Sequence, residues 1–214
     1  MTSIVKLDLS TNRLVGMIPT NLENLCSLEE FFVHGNKMMN GTITEFFQRL
    51  PSCSWNKLTF VYLPSSNLTG SLPTKLEPLR NLIWLYLRGN KLIGPVPLWI
   101  GELTKLTELD LSYNKLEGFI HEGHLSGLKS LEILWLSNNA IAFTMNSTWV
   151  HPSNLTDIEL WSCFLGPRFP LWLRWLIHVE HLDISNTSIS DMVPDWFWIT
   201  ASTVKILNMP TEQN

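Results

Sequence analysis

Few residues in this chain are spaced for chemistry. Of its six histidines, four fall in two HxxH pairs, His121 with His124 and His178 with His181. A zinc helix of the HExxH type needs its imidazoles four residues apart, on one face. Both pairs are one residue short of that, so no metal is expected. The stretch GHLSG at 123–127 places its serine wrongly for a GxSxG elbow. Phosphate-binding and dinucleotide-binding glycine patterns are absent from the sequence. The chain is not expected to be an enzyme, and no cofactor is implied. What stands out instead is a set of aromatic residues suited to binding: Phe32, Phe60, Tyr62, Trp84, Tyr86, Trp135 and Trp161, with Arg88 beside them.

The spacing of these residues follows a ruler laid down by apolar positions. Leu7, Phe31, Val61, Leu85, Leu109, Leu134, Ile158, Leu182 and Leu207 recur at intervals of 24 or 25 residues, with a single interval of 30. Around each, apolar and polar residues alternate as a short strand with one buried face requires. An LxxLxLxxN core at this period is the signature of leucine-rich repeats. The expected fold is therefore an α/β solenoid, a curved array of about nine plant-type repeats with a parallel sheet on the concave face. One such repeat cannot bury its apolar edge alone, so stability must come from stacking.

The segments Gly16–Pro19, Gly70–Pro73 and Gly94–Pro97 predict a second short extended piece after each main strand. The longest repeat holds its six extra residues on the return side, in FFQRLPSCSWNK. A column of small hydrogen-bonding residues closes each strand: Asn12, Asn36, Ser66, Asn90, Asn114, Asn139, Cys163 and Thr187. They are expected to satisfy backbone groups in the turn, which makes Cys163 structural. Trp172, Trp175, Trp196 and Trp198 are expected to cap the core on the convex side.

Residues flanking the ruler must face the open side of the sheet. One column there reads Asp8, Phe32, Tyr62, Tyr86, Asp110, Trp135, Glu159, Asp183. Its neighbour reads Lys6, Glu30, Phe60, Trp84, Glu108, Ile133, Asp157, His181. Asp8, Asp110 and Asp183 follow from the repeated LDLS or LDIS motif, but the aromatics do not. Aromatics clustered on one exposed face mark a binding surface. The ligand-binding residues expected are Phe32, Phe60, Tyr62, Trp84, Tyr86, Arg88, Trp135 and Trp161, with a protein or peptide as partner.

Cys26 and Cys53 fall on adjacent returns, about 4.8 Å apart in rise, within the roughly 4.4–6.8 Å span of a disulfide. The alternative is two free thiols. A bridge would imply an oxidising compartment. Five glycosylation sequons begin at Asn40, Asn67, Asn146, Asn154 and Asn186. With 45% apolar and 16% charged residues and a net charge of −4, nothing favours nucleic acid or an anionic membrane. No apolar run reaches the roughly 18 residues of a membrane span. The first and last repeats lack visible caps. Residues 1–214 are thus expected to be a single domain truncated at both ends, with any membrane segment lying outside it.

The unit LxxLDLSxNxLxGxIPxxL, present as IVKLDLSTNRLVGMIPTNL and LTELDLSYNKLEGFI, resembles the plant extracellular class of leucine-rich repeats. SCFLGPRFPLWL, LDISNTSISDMVPDWFW and LPSCSWNKL are similar to the receptor-like proteins of the ethylene-inducing xylanase receptor group. The resemblance implies a cell-surface ectodomain on one membrane helix, without a kinase, that signals in defence. A partner receptor kinase would be met through C-terminal repeats absent here. A receptor-kinase ectodomain and a soluble inhibitor of microbial cell-wall hydrolases are the alternative readings.

Overall fold

The computed structural model describes residues 3–17, 22, 24–36, 38–76, 79–149 and 154–209. Nine strands form one parallel sheet, and their order across it is their order in the chain. They are Lys6–Asp8, Glu30–Phe32, Phe60–Tyr62, Trp84–Tyr86, Glu108–Asp110, Ile133–Trp135, Asp157–Glu159, His181–Asp183 and Ile206–Asn208. The register is that of the apolar ruler, so Leu7, Phe31, Val61, Leu85 and their successors to Leu207 pair as direct neighbours. Behind them Leu28, Leu58, Leu82, Leu106, Leu131, Leu155 and Val179 complete a buried layer. Burying each such side chain contributes about 2 kcal/mol.

The extra residues of the longest repeat form helix α1, Ile43–Arg49. Its start is a capping box. Thr42 Oγ1 accepts from the Glu45 amide at 3.1 Å, and Glu45 Oε2 accepts from the Thr42 amide at 3.0 Å. Ile43, Phe46 and Phe47 then turn into the core. Cys53 follows in a 3₁₀ turn and is disulfide-bonded to Cys26, with Cα atoms 5.0 Å apart. The later returns are 3₁₀ turns at Leu98–Glu102 and Leu171–Trp175, and helices α2, Glu122–Leu125, and α3, Asp195–Thr200.

A second extended piece does follow the main strand. Thr69–Ser71, Lys91–Gly94, Lys115–Ile120 and Ala140–Phe143 pair in parallel, and Val15–Gly16 pairs with Met38–Met39. Gly94 sits at φ +74°, where a Cβ would come within 3.3 Å of Ser71. A side chain there would be both strained and crowded. Ala140–Phe143 pairs over four residues without a glycine–proline bend, so the bend shapes this second strand but is not required for it. Pro19 of the first bend and residues 150–153 of the sixth return lie outside the described residues.

The ladder that closes each strand links one repeat to the one before. Asn90 Nδ2 donates to Leu63 O of the preceding repeat at 2.8 Å and to its own Leu87 O at 2.9 Å. Its Oδ1 accepts from the Ser66 and Leu68 amides. Asn36, Asn114 and Asn139 likewise bond the preceding repeat through both amide atoms, and Asn114 and Asn139 also donate to their own Leu111 O and Leu136 O. Ser66 reaches back to Val33 O, and the Cys163 thiol to Leu136 O at 3.3 Å. Burial pushes that thiol up to about 12, so it stays a proton donor and is not a nucleophile. Thr187 donates only within its own repeat, to Ile184 O. The residue just before each ladder position is left-handed: Thr11, Gly35, Ser65, Gly89, Tyr113, Asn138, Ser162 and Asn186 have φ between +53° and +72°.

The convex tryptophans divide. Trp172 is buried, stacked on Phe143 with centroids 5.9 Å apart, and Trp196 packs on Phe169. Trp175 and Trp198, expected to cap the core, instead project outward at 39% and 56% exposure. Their flanking Trp172, Leu173 and Phe197 already fill the inward positions of these short turns.

The ladder makes a direct prediction. Asn114→Ala leaves Leu92 N, Leu87 O and Leu111 O without their side-chain partner, and should cost about 3 kcal/mol in urea unfolding. Asn12, exposed at the first position, should cost well under about 1 kcal/mol on the same change. Equal losses would mean that burial of the ladder is not what matters.

Candidate functional site

On the open face of the sheet, strand alternation presents the two columns read from the sequence, in register. The aromatic members touch in sequence. Ring centroids are 5.7 Å apart for Phe32 and Tyr62, 5.1 Å for Tyr62 and Tyr86, and 6.3 Å for Tyr86 and Trp135. Phe60 and Trp84 lie alongside at 4.5 Å, and Trp84 meets Tyr86 at 6.3 Å. His34 closes on Tyr62 edge-on, and Lys6 lies 4.4 Å over Phe32 while paired to Glu30. Each belt ring is half-buried, one side held by its neighbour and the other open.

The far half of the face is acidic. Tyr86 donates its hydroxyl proton to Glu108. Burial first, and then that bond, raise the tyrosine's pKa. Trp135 Nε1 donates to Asp157 Oδ1 at 2.7 Å, and His181 Nδ1 lies 3.1 Å from the same oxygen. His181, expected to be solvent-facing, is thus half-buried against a carboxylate. Glu159 is raised in pKa by its burial and by the charge of Asp157. Asp157, Glu159 and His181 offer donor atoms within 4.8 Å of one another. Two of the three are already each other's partners, and no metal is assigned to them.

Trp161 does not continue the belt from Trp135. It lies beyond its strand and meets Tyr113, centroids 6.0 Å apart. Arg88 belongs to this second group, its guanidinium 4.4 Å over the Tyr113 ring and its Nη1 3.2 Å from Ser112 Oγ. Tyr113 was missed in the sequence because it belongs to neither column. Its signal is an aromatic at the left-handed position before the ladder, φ +54°, where the ring is exposed. Tyr113, Trp161, Asp183 and Ser185 border a hollow of about 520 Å³.

The aspartates of the LDLS motif have a local role. Asp8, Asp110 and Asp183 each accept from the amide of the serine two residues on, at 3.0, 2.9 and 2.9 Å. Asp110 differs because it is 1% exposed and its Oδ2 has no partner. Burial raises its pKa against the pull of Ser112. The sequons fall elsewhere. Asn40, Asn146, Asn154 and Asn186 are exposed, and Asn67 is half-buried in a turn at φ +57°.

Two leucine-rich repeat family profiles match residues 96–141, and residues 3–25, 81–103 and 178–198, about half of the chain between them. Over 98 residues the chain is 46% identical to the receptor-like protein EIX1 of Solanum lycopersicum, and over 93 residues 44% identical to EIX2 of the same species. The chain is a leucine-rich repeat array, similar over nearly half its length to plant receptor-like proteins. These stretches are 46% and 44% of the chain but only 10% and 9% of the two relatives. Among solved structures, a TDR receptor superposes with a TM-score of 0.84 at 24% identity, over 97% of this chain and 35% of that one. The Arabidopsis receptor kinase HAESA, in complex with the peptide hormone IDA and the co-receptor SERK1, does so at 0.79 and 22% identity, over 97% and 37%. These matches establish the repeat fold. Among the described residues no helix is long and apolar enough to cross a membrane.

The buried carboxylate of this leucine-rich repeat face sets a pH test. A carboxylate whose folded pKa is raised penalises the folded state above that pKa, and the penalty vanishes as pH falls below the unfolded value. Asp110→Asn keeps the acceptor for Ser112 and removes the charge. The variant should be at least as stable as the parent at pH 7, with its advantage shrinking toward pH of about 4. A clear loss at pH 7 in thermal unfolding would show that the charge is compensated.

Proposed function

We propose that this array is the protein- or peptide-recognition part of a plant cell-surface receptor-like protein, exposed on the extracellular side and serving defence signalling. The continuous row from Phe32 to Trp135, each ring open on one side, carries this reading. Flat half-buried aromatics give large contact area at low entropic cost. The receptor-like relatives in tomato and the HAESA ectodomain, solved with a peptide hormone, support a ligand of that kind. Signalling would pass to a partner receptor kinase through other parts of the full protein, which also hold its membrane anchor. The Cys26–Cys53 bridge and exposed sequon asparagines suit a glycosylated chain in an oxidising compartment.

A second reading, the ectodomain of a receptor kinase, draws on the HAESA ectodomain seen with an extended IDA peptide, 25% identical over 92% of this chain. The message downstream of this segment separates the two: a membrane helix with a short tail, or a kinase.

Tyr62→Ala with Trp84→Ala should lower affinity for the native ligand at least a hundredfold while secretion and the melting curve stay within normal range. These side chains lie on the open face and leave the ladder intact. Unchanged affinity of the secreted double variant would remove the belt from the binding site.

A further inference from the structure

The open face is chemically two-ended, and the two ends are a defined distance apart. Phe60, Tyr62 and Trp84 form an apolar platform on the third and fourth strands. Asp157, Glu159 and Asp183 place three carboxylates on the seventh and eighth. Their nearby counter-charges are His181, paired to Asp157, and Arg88, which is drawn over Tyr113. The Glu159 carboxylate accepts no hydrogen bond among the described residues, although the residue is half-buried. The hollow beside it has aromatic walls, Tyr113 and Trp161, and a carboxylate, Asp183, whose Oδ1 is taken by Ser185 and Oδ2 by Asn208. Aromatic faces next to carboxylates attract an organic cation by both ring quadrupole and charge. Arg88 over Tyr113 shows one such contact already made within the protein. Between platform and hollow lies Asp110, buried with one oxygen unpartnered, which adds negative charge at the midpoint.

We propose that the face takes an extended peptide with two anchors. An aromatic or large aliphatic side chain lies on Phe60, Tyr62 and Trp84, and a lysine or arginine side chain enters the hollow between Trp161, Tyr113 and Asp183, with the Glu159 carboxylate on the strand paired to Asp183. Three to four strand spacings of about 4.8 Å separate the anchors, which is four to six residues of extended chain at about 3.3 Å each. The inference rests on the peptide-recognition reading above and names the class of peptide. Charge complementarity selects the cationic end: a peptide with an acidic residue there would meet three carboxylates in a site of reduced polarity.

The test uses the secreted chain and fluorescent decapeptides measured by anisotropy. Each carries one tryptophan, with lysine, glutamate or serine placed two to eight residues to either side in a serine–threonine background. The expected result is an optimum for lysine four to six residues from tryptophan, at least tenfold tighter than the glutamate or serine peptide of the same spacing. That preference should weaken with added salt and vanish in Glu159→Gln with Asp183→Asn, while binding of the tryptophan–serine peptide is unchanged. Asp183→Asn keeps the acceptor for Ser185, and Glu159→Gln alone serves if the double variant fails to fold. If tryptophan peptides bind with no preference for lysine, the cationic anchor is overturned and peptide recognition stands. If no peptide binds at millimolar concentration, peptide recognition by this face falls as well.

Discussion

The whole array depends on what happens to the backbone where each strand stops. A strand of three residues followed by a left-handed turn leaves amides and carbonyls facing an apolar interior. Without partners they would cost more than the leucines recover. The asparagine amide is suited to this place because it has two donors and one acceptor on a short, rigid stem. Asn90 uses all three, reaching the repeat before it as well as its own. A turn is thereby closed and a neighbour attached with one side chain. Stacked leucines supply the stabilisation, and the ladder decides that it is delivered in register.

This division explains why the binding surface can vary freely. Outward residues on each strand contribute nothing to ladder or core, so tyrosine, tryptophan, glutamate and isoleucine are all accepted there. The face is written column by column on a frame that does not change. Where it does affect the frame it does so locally, as when Asp110 and Asp183 hold the amide of the following serine.

The frame was legible in the sequence because it is repeated. Nine ruler positions at a nearly constant interval placed Leu7 through Leu207 correctly, and the outward columns followed by alternation. Features that occur once were legible only where the repeat itself sets a distance, as for Cys26 and Cys53. Nothing in the spacing says that Trp161 meets Tyr113 and not Trp135, since that depends on how far each side chain extends beyond its strand. Tyr113 lay hidden in a left-handed position filled elsewhere by glycine, serine, threonine or asparagine, and only the size of its side chain sets it apart. Trp175 and Trp198 read as core because tryptophan usually is. In short returns the inward places are few, and Trp172, Leu173 and Phe197 had taken them.

The ladder is not uniform along its length. From the second repeat to the seventh, each closing side chain bonds a carbonyl of the repeat before it. The Thr187 hydroxyl turns to its own Ile184 O, and other side chains tie the strands of Glu159 and Asp183 together. Asn186 Nδ2 donates to Ser162 Oγ at 2.6 Å, Asp191 Oδ2 accepts from the Phe169 amide at 3.2 Å, and His181 Nδ1 lies 3.1 Å from Asp157 Oδ1. The fastening at this joint sits nearer the surface than a buried asparagine rung does, like a girder bolted through its flange and not its web. Solvent reaches those bolts, so the grip between these two repeats answers to salt in a way the inner rungs do not.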